Sequence, residues 1–155
     1  RLCIQAIEEI LKDNRINSVL DVGCGSGILA ISAIKLGIND AVGLDIDPVA
    51  VKEAKNNLER NSVSQKIKLL CGYIDSIKER FDLIVANITV EAILLMRKEL
   101  KLRLKDNGTL LVSGIPTQRR DELVSGLEKG GFVVKRELKE GEWLAYVMGI
   151  DNNSS

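Results

Sequence analysis

The chain has 155 residues, 45% of them apolar, which suits a single domain with a sizeable core. Its 22 basic and 22 acidic side chains cancel, so no global field draws it to nucleic acid or to an anionic membrane. It has no histidine, which excludes Ser-His-Asp and Cys-His catalysis within the chain and histidine-ligated metal sites, and Cys3, Cys24 and Cys71 lack the spacing of a thiolate zinc site or a disulfide framework.

No apolar run approaches the roughly 20 residues of a bilayer span, and no signal-peptide pattern opens the chain. The expectation is a cytoplasmic protein with no membrane partner and no direct nucleic-acid partner. The first stretch, RLCIQAIEEIL, already has helical spacing at Leu2, Ile4, Ile7, Ile10 and Leu11, as though cut from something longer. SVLDV (18–22) reads as a short apolar strand. SGILAISAIKLG (26–37) reads as a helix stopped by Gly37. A second strand, DAVGLDI (40–46), leads to Pro48, which suits the first turn of the helix 48–61. Strands follow at KIKLLCG (66–72) and FDLIVANI (81–88), then a helix over 90–104 ended by the turn KDNG. TLLVSGI (109–115) is a fifth strand and 119–131 a helix with a glycine stop. FVVKRELKE and GEWLAYVMG (132–149) are two strands joined by a Glu-Gly turn, a hairpin pattern. The polar end 151–155 is expected to be a disordered tail.

Alternating strands and helices predict an α/β domain over 1–150: a mostly parallel sheet, helices on both faces, and a C-terminal antiparallel hairpin. Ligands in such sheets bind beyond the carboxyl ends of the strands where strand order reverses, which draws attention to VLDVGCGSG (19–27). Gly23, Gly25 and Gly27 let bare backbone approach a ligand, although a tight turn alone could also demand them. Asp45, at the end of the next strand, stands where an acid can accept hydrogen bonds from ribose hydroxyls. The competing acid, Asp47, reads as the cap of the helix beginning near Pro48. The spacing is G-x-G-x-G rather than the G-x-G-x-x-G of dinucleotide sites, with Ile28 where the third dinucleotide glycine would stand. Asp21, just before the loop, would repel a pyrophosphate but suits a cation. S-adenosyl-L-methionine, with an ammonium, a sulfonium, a ribose and an adenine, fits better.

DVGCGSG followed by GLDID resembles the class I S-adenosylmethionine-dependent methyltransferases. The set RLCIQAI, LDVGCGSGILAISAIKLG, VGLDIDPVAV, FDLIVANI, GTLLVSGI and GEWLAYVMG, in that order, resembles one family closely, the bacterial methyltransferases of ribosomal protein L11. The resemblance covers nearly the whole chain and implies a seven-stranded Rossmann-like sheet. It also implies S-adenosylmethionine as cofactor and ribosomal protein L11 as protein substrate, methylated on lysine side chains, on its N-terminal amine, or on both. It further implies that the Gly23–Gly27 loop, Cys24 included, wraps the methionine part of the cofactor. Asp45 then holds the ribose, Ile46 packs on the adenine, and Gly72, Tyr73 and Ile74 border that ring. At Tyr73 the family more usually carries a small or acidic residue. Asn87 would face both the cofactor and the transferred methyl, the catalytic position of this fold.

The residues after Asn87 bear on the acceptor. Methyltransferases of planar amide or base nitrogens typically carry (N/D)-P-P-aromatic here, whereas this chain has Asn87-Ile88-Thr89-Val90. Without the prolines and the aromatic clamp, a flexible tetrahedral amine fits better than a flat group. The alternatives are a class I methyltransferase for another amine or a small molecule and, less well supported, a nicotinamide-dependent oxidoreductase. Relative to the family, a GTGxHPTT-like loop and the N-terminal substrate-recruiting domain are expected to be absent from this chain. Trp143, the only tryptophan, reads as a packing residue, Cys24 as a small filler rather than a nucleophile, and the mixed-charge run RKELKLRLKD as a solvated helix face.

Overall fold

The structure, a computed structural model, describes residues 1–152, so the expected tail is described only at Asp151 and Asn152, and 153–155 lie outside the described residues. Seven strands form one sheet: β1 (Ser18–Val22), β2 (Asp40–Asp45), β3 (Ile67–Cys71), β4 (Phe81–Ala86), β5 (Leu104–Pro116), β6 (Phe132–Glu140) and β7 (Trp143–Ile150). Their order across the sheet is β3-β2-β1-β4-β5-β7-β6. Strands β1 to β5 run parallel, and β7 inserts antiparallel between β5 and β6. The expected architecture is the one observed.

Strands buried on both faces read as continuous apolar runs rather than alternating ones. That explains the apolar runs Val19-Leu20 in β1, Leu83–Ala86 in β4 and Leu110–Val112 in β5. Leu20, Val22, Ile84, Ala86, Leu110 and Val112 face one core, shared with Ile93, Leu100 and Leu123. Val19, Leu83, Val85 and Leu111 face the other, shared with Ile7, Ala30 and Ile31. The first face is covered by α4 (Val90–Leu95), α5 (Arg97–Leu102) and α6 (Arg120–Lys129), the second by α1 (Leu2–Asp13), α2 (Ile28–Lys35) and α3 (Pro48–Arg60).

Two elements differ from expectation. The helix read over 90–104 is broken at Met96, whose ψ of 12° leaves the helical range. The apolar spacing is continuous, but the two halves pack on different neighbours: α4 on α6, and α5 on β5 and the 3-10 turn Ile74–Ser76. Strand β5 also starts early. Leu104 pairs with Phe81 and Thr109 with Leu83, so Lys105–Gly108 bulges out of a strand already begun, with Asn107 at φ 64°.

Register places the site. Val22, Leu44, Leu70, Ala86 and Val112 form one row across β1–β5. The residues that follow them (Gly23, Asp45, Cys71, Asn87 and Ser113) therefore come together along the carboxyl edge of the sheet. Strand order reverses there between β1 and β4, where ligands of such sheets bind.

Candidate active site

The loop after β1 turns sharply at three left-handed glycines, Gly23 (φ 71°), Gly25 (φ 51°) and Gly27 (φ 84°). A side chain would meet something different at each. A Cβ on Gly23 would lie 2.5 Å from Cγ2 of Ile88, in the segment after β4. A Cβ on Gly27 would press 3.3 Å from Ala54 Cβ of α3. A Cβ on Gly25 would meet nothing within 4 Å. Gly23 and Gly27 are thus needed for close packing, whereas Gly25 leaves open space at the cradle itself. The loop is tied to β2 by Gly23 and Cys24, whose amides donate to the Leu44 carbonyl at 2.7 and 2.9 Å.

Asp45 braces the same loop. Its Oδ2 accepts from the Gly25 amide at 2.9 Å and its Oδ1 from the Asp47 amide at 3.0 Å. A carboxylate offers about four lone-pair positions, so acceptor capacity remains for a diol. Asp47 accepts from the Val49 amide at 2.9 Å and caps α3, with Pro48 at the first helical position.

Asp21 is 2% exposed. Helix α2 follows Gly27, which has no side chain to cap it. Asp21, on β1, is held near the Ala30 amide in the first turn of that helix, and its Oδ2 has no hydrogen-bond partner among the described residues. Burial, reinforced by the Asp45 charge and opposed by the Ala30 hydrogen bond, pushes its carboxyl up to about 7. A buried acceptor of this kind favours a cation beside it. The Cys24 thiol packs toward Gly43, and burial with the two neighbouring carboxylates pushes it up to about 12, so it is a filler and not a nucleophile.

Two cavities open along this edge. One, of about 520 Å3, runs from Gly23 and Asp45 past Ile46, Gly72, Tyr73 and Ile74 to Ile88, Ala92, Leu95 and Met96. Asp45 is its single charged lining residue, and the other side chains are almost all apolar. Ile46, Tyr73 and Leu95 stand at its rim, 62%, 70% and 90% exposed. Exposed large apolar groups around a concave apolar wall suit a flat, weakly polar ligand group. The second cavity, about 350 Å3, is lined by Asn87, Ser113 and Gly114 at the ends of β4 and β5, by the start of α1, and by Glu140 and Trp143 of the last hairpin. The Asn87 Oδ1 sits 2.6 Å from where a Cβ of Gly114 would be, so Gly114 (φ 74°) makes room for this amide.

The structure thus brings Gly23, Asp45, Ile46, Gly72, Tyr73 and Ile74 around one cavity and puts Asn87 on the adjoining one. Asp21, Cys24, Gly25 and Gly27 lie in or beneath the loop and line neither. Trp143 is a correction: it is 54% exposed rather than packed, and it walls the Asn87 cavity together with Glu140. Ala92, Leu95 and Met96 were missed because they read only as the apolar stripe of a helix.

The family model described as ribosomal protein L11 methyltransferase (PrmA) matches residues 1–150. The chain belongs to the ribosomal protein L11 methyltransferase family. A relative of that name from Clostridium perfringens is 40% identical over 143 residues, and one from Clostridium botulinum is 42% identical over 144. Each alignment covers 92% of this chain and 45% of the relative, so the chain spans less than half the length of these curated relatives. Among solved structures, a ribosomal protein L11 methylase from Lactobacillus delbrueckii subsp. bulgaricus matches with a TM-score of 0.89 at 28% identity, covering 97% of this chain and 78% of that one. An RNA methyltransferase from Salinibacter ruber, in complex with S-adenosyl-L-homocysteine, shares the fold with a TM-score of 0.77 at 17% identity, covering 98% and 92%.

Proposed function

We propose that this chain transfers the methyl group of S-adenosyl-L-methionine to amino groups of ribosomal protein L11: lysine side chains, the N-terminal amine, or both. The observation that carries the reading is the cradle of a family member. An open Gly25 is braced by Asp45, which in turn lines an apolar cavity with Ile46 and Tyr73. Shape and chemistry fit the cofactor. The free acceptor positions of Asp45 suit a ribose diol, the apolar cavity suits an adenine, and the unpartnered Oδ2 of Asp21 suits a nearby cation. Cys24 and Gly27 act through the loop, one filling space against Gly43 and the other packing on α3. Gly72 and Ile74 complete the wall behind Tyr73.

When bound, the cofactor supplies a methyl group activated by a positively charged sulfur. The chain supplies position, and well-oriented reactants can gain on the order of 7–11 kcal/mol of the barrier from position alone. Asn87 offers an uncharged amide beside the second cavity. It can orient an amine by hydrogen bonding without protonating it, which keeps the nitrogen lone pair free. The amine reaches that point after giving its proton to water. A cytoplasmic site of action follows from this substrate, since ribosomal proteins are made there.

The test is incubation of a protein of the relatives' full length that contains this chain with S-adenosylmethionine and unmodified ribosomal protein L11, read by mass spectrometry. The expected result is whole methyl increments that map to amines and disappear in the Asn87→Ala variant. Increments on another atom type would support a class I methyltransferase of different specificity. No increment, with the cofactor bound, would overturn the L11 assignment.

A further inference from the structure

The turn of the last hairpin carries two residues that the reaction described above does not use. Glu140 and Trp143 flank Gly141 and Glu142 and are paired directly across β6 and β7, and Trp143 also faces Pro116 of β5. Directly opposed residues of an antiparallel pair project on the same face. Both line the cavity that Asn87, Ser113 and Gly114 close at the ends of β4 and β5. Trp143 leaves half its surface to solvent there, although tryptophan is usually well covered. Among the described residues Glu140 is the only acid lining the cavity, and its partner, Arg1, is an 86% exposed side chain at 3.3 Å. An exposed pair of this kind contributes little, so a competing cation displaces Arg1 at small cost. The rest of the lining is uncharged.

We propose that Trp143 and Glu140 form the recognition pair for the acceptor, selecting a cationic amine on a flexible aliphatic stem. The indole covers the stem and attracts the ammonium through its ring face. Glu140 takes up the charge that Arg1 otherwise occupies. The cavity therefore has a charged end at the hairpin and an uncharged end at Asn87 and Ser113. An amine is bound as the cation at the first end, and loss of water at the second favours the neutral form. This inference rests on the methyl-transfer reading. It adds the residues that set specificity for an amine over a planar amide.

Because Trp143 is the only tryptophan, its fluorescence reads the site directly. The protein, saturated with S-adenosylhomocysteine, is titrated with N-acetyl-lysine methylamide and with the norleucine analogue, which has the same stem and no charge. A saturable change in emission is expected with the lysine probe and a response at least about tenfold weaker with norleucine, the scale of one charge-assisted hydrogen bond. Glu140→Gln, at a half-buried position, should weaken the lysine response about tenfold while the affinity for S-adenosylhomocysteine, measured by calorimetry, stays unchanged. Trp143→Leu should raise KM for ribosomal protein L11 far more than it lowers kcat. Equal responses to the two probes, or a Glu140→Gln variant that responds like the wild type, would overturn the proposal and leave methyl transfer standing. Failure of S-adenosylhomocysteine to bind the wild-type protein would overturn both.

Discussion

Asp45 and Asp47 stand two residues apart and serve different ends. Asp45 holds the Gly25 amide and faces the apolar cavity, whereas Asp47 caps a helix. Asp45→Ala should weaken S-adenosylmethionine and S-adenosylhomocysteine alike by about tenfold to a hundredfold, since a charge-assisted hydrogen bond is worth about 1.5–3 kcal/mol. Asp47→Ala should cost about 1 kcal/mol of stability and leave binding nearly unchanged. Calorimetry and thermal unfolding on the two variants separate these effects, and equal losses of binding would contradict the assignment. Asp21 makes a pH-dependent prediction. Its carboxyl lies near 7 in the fold, against an ordinary value near 4, so the folded state holds the proton more tightly than the unfolded one. The free protein therefore loses stability as pH rises from about 4 to about 7, where folded and unfolded states differ in bound proton. Asp21→Asn should flatten that slope in urea unfolding across the window. A cation bound beside Asp21 should also expel its proton, so the binding enthalpy of S-adenosylhomocysteine near pH 6 should depend on the buffer in the wild type and not in Asp21→Asn.

At the scale of elements, the loop after β1 shows why three glycines in one motif are not equivalent. Gly25→Val puts a branched side chain into open space, costing about 1–2 kcal/mol of backbone strain and removing the binding of S-adenosylhomocysteine. Gly27→Val drives a side chain into Ala54 of α3 and should destabilise the fold more than Gly25→Val does. Circular dichroism melts and calorimetry on both variants check the order. This loop was legible in the sequence because backbone geometry demands glycine, and Asp45 was legible from its spacing to the loop. The break at Met96 was not legible. Apolar spacing carries the phase of a helix, but not the moment at which its packing partner changes from α6 to β5. The burial of Asp21 beneath the loop was also hidden, since its neighbours Ala30 and Asp45 come from other elements of the fold.

At the scale of the whole molecule, the site depends on strand order as much as on residue type. The parallel strands line up Gly23, Asp45 and Asn87 through register, and alternating segments in the sequence are enough to foresee that. Trp143 and Glu140 reach the Asn87 cavity only because β7 inserts between β5 and β6, a pairing that composition and periodicity do not encode. The central claim is that the carboxyl edge of this sheet is an S-adenosylmethionine site and not a nicotinamide site. Isothermal titration of the protein with S-adenosylhomocysteine and with NAD tests it most directly. The account predicts saturable binding of S-adenosylhomocysteine that Gly25→Val abolishes, and no binding of NAD. Binding of NAD, or of S-adenosylhomocysteine undiminished by Gly25→Val, would contradict it.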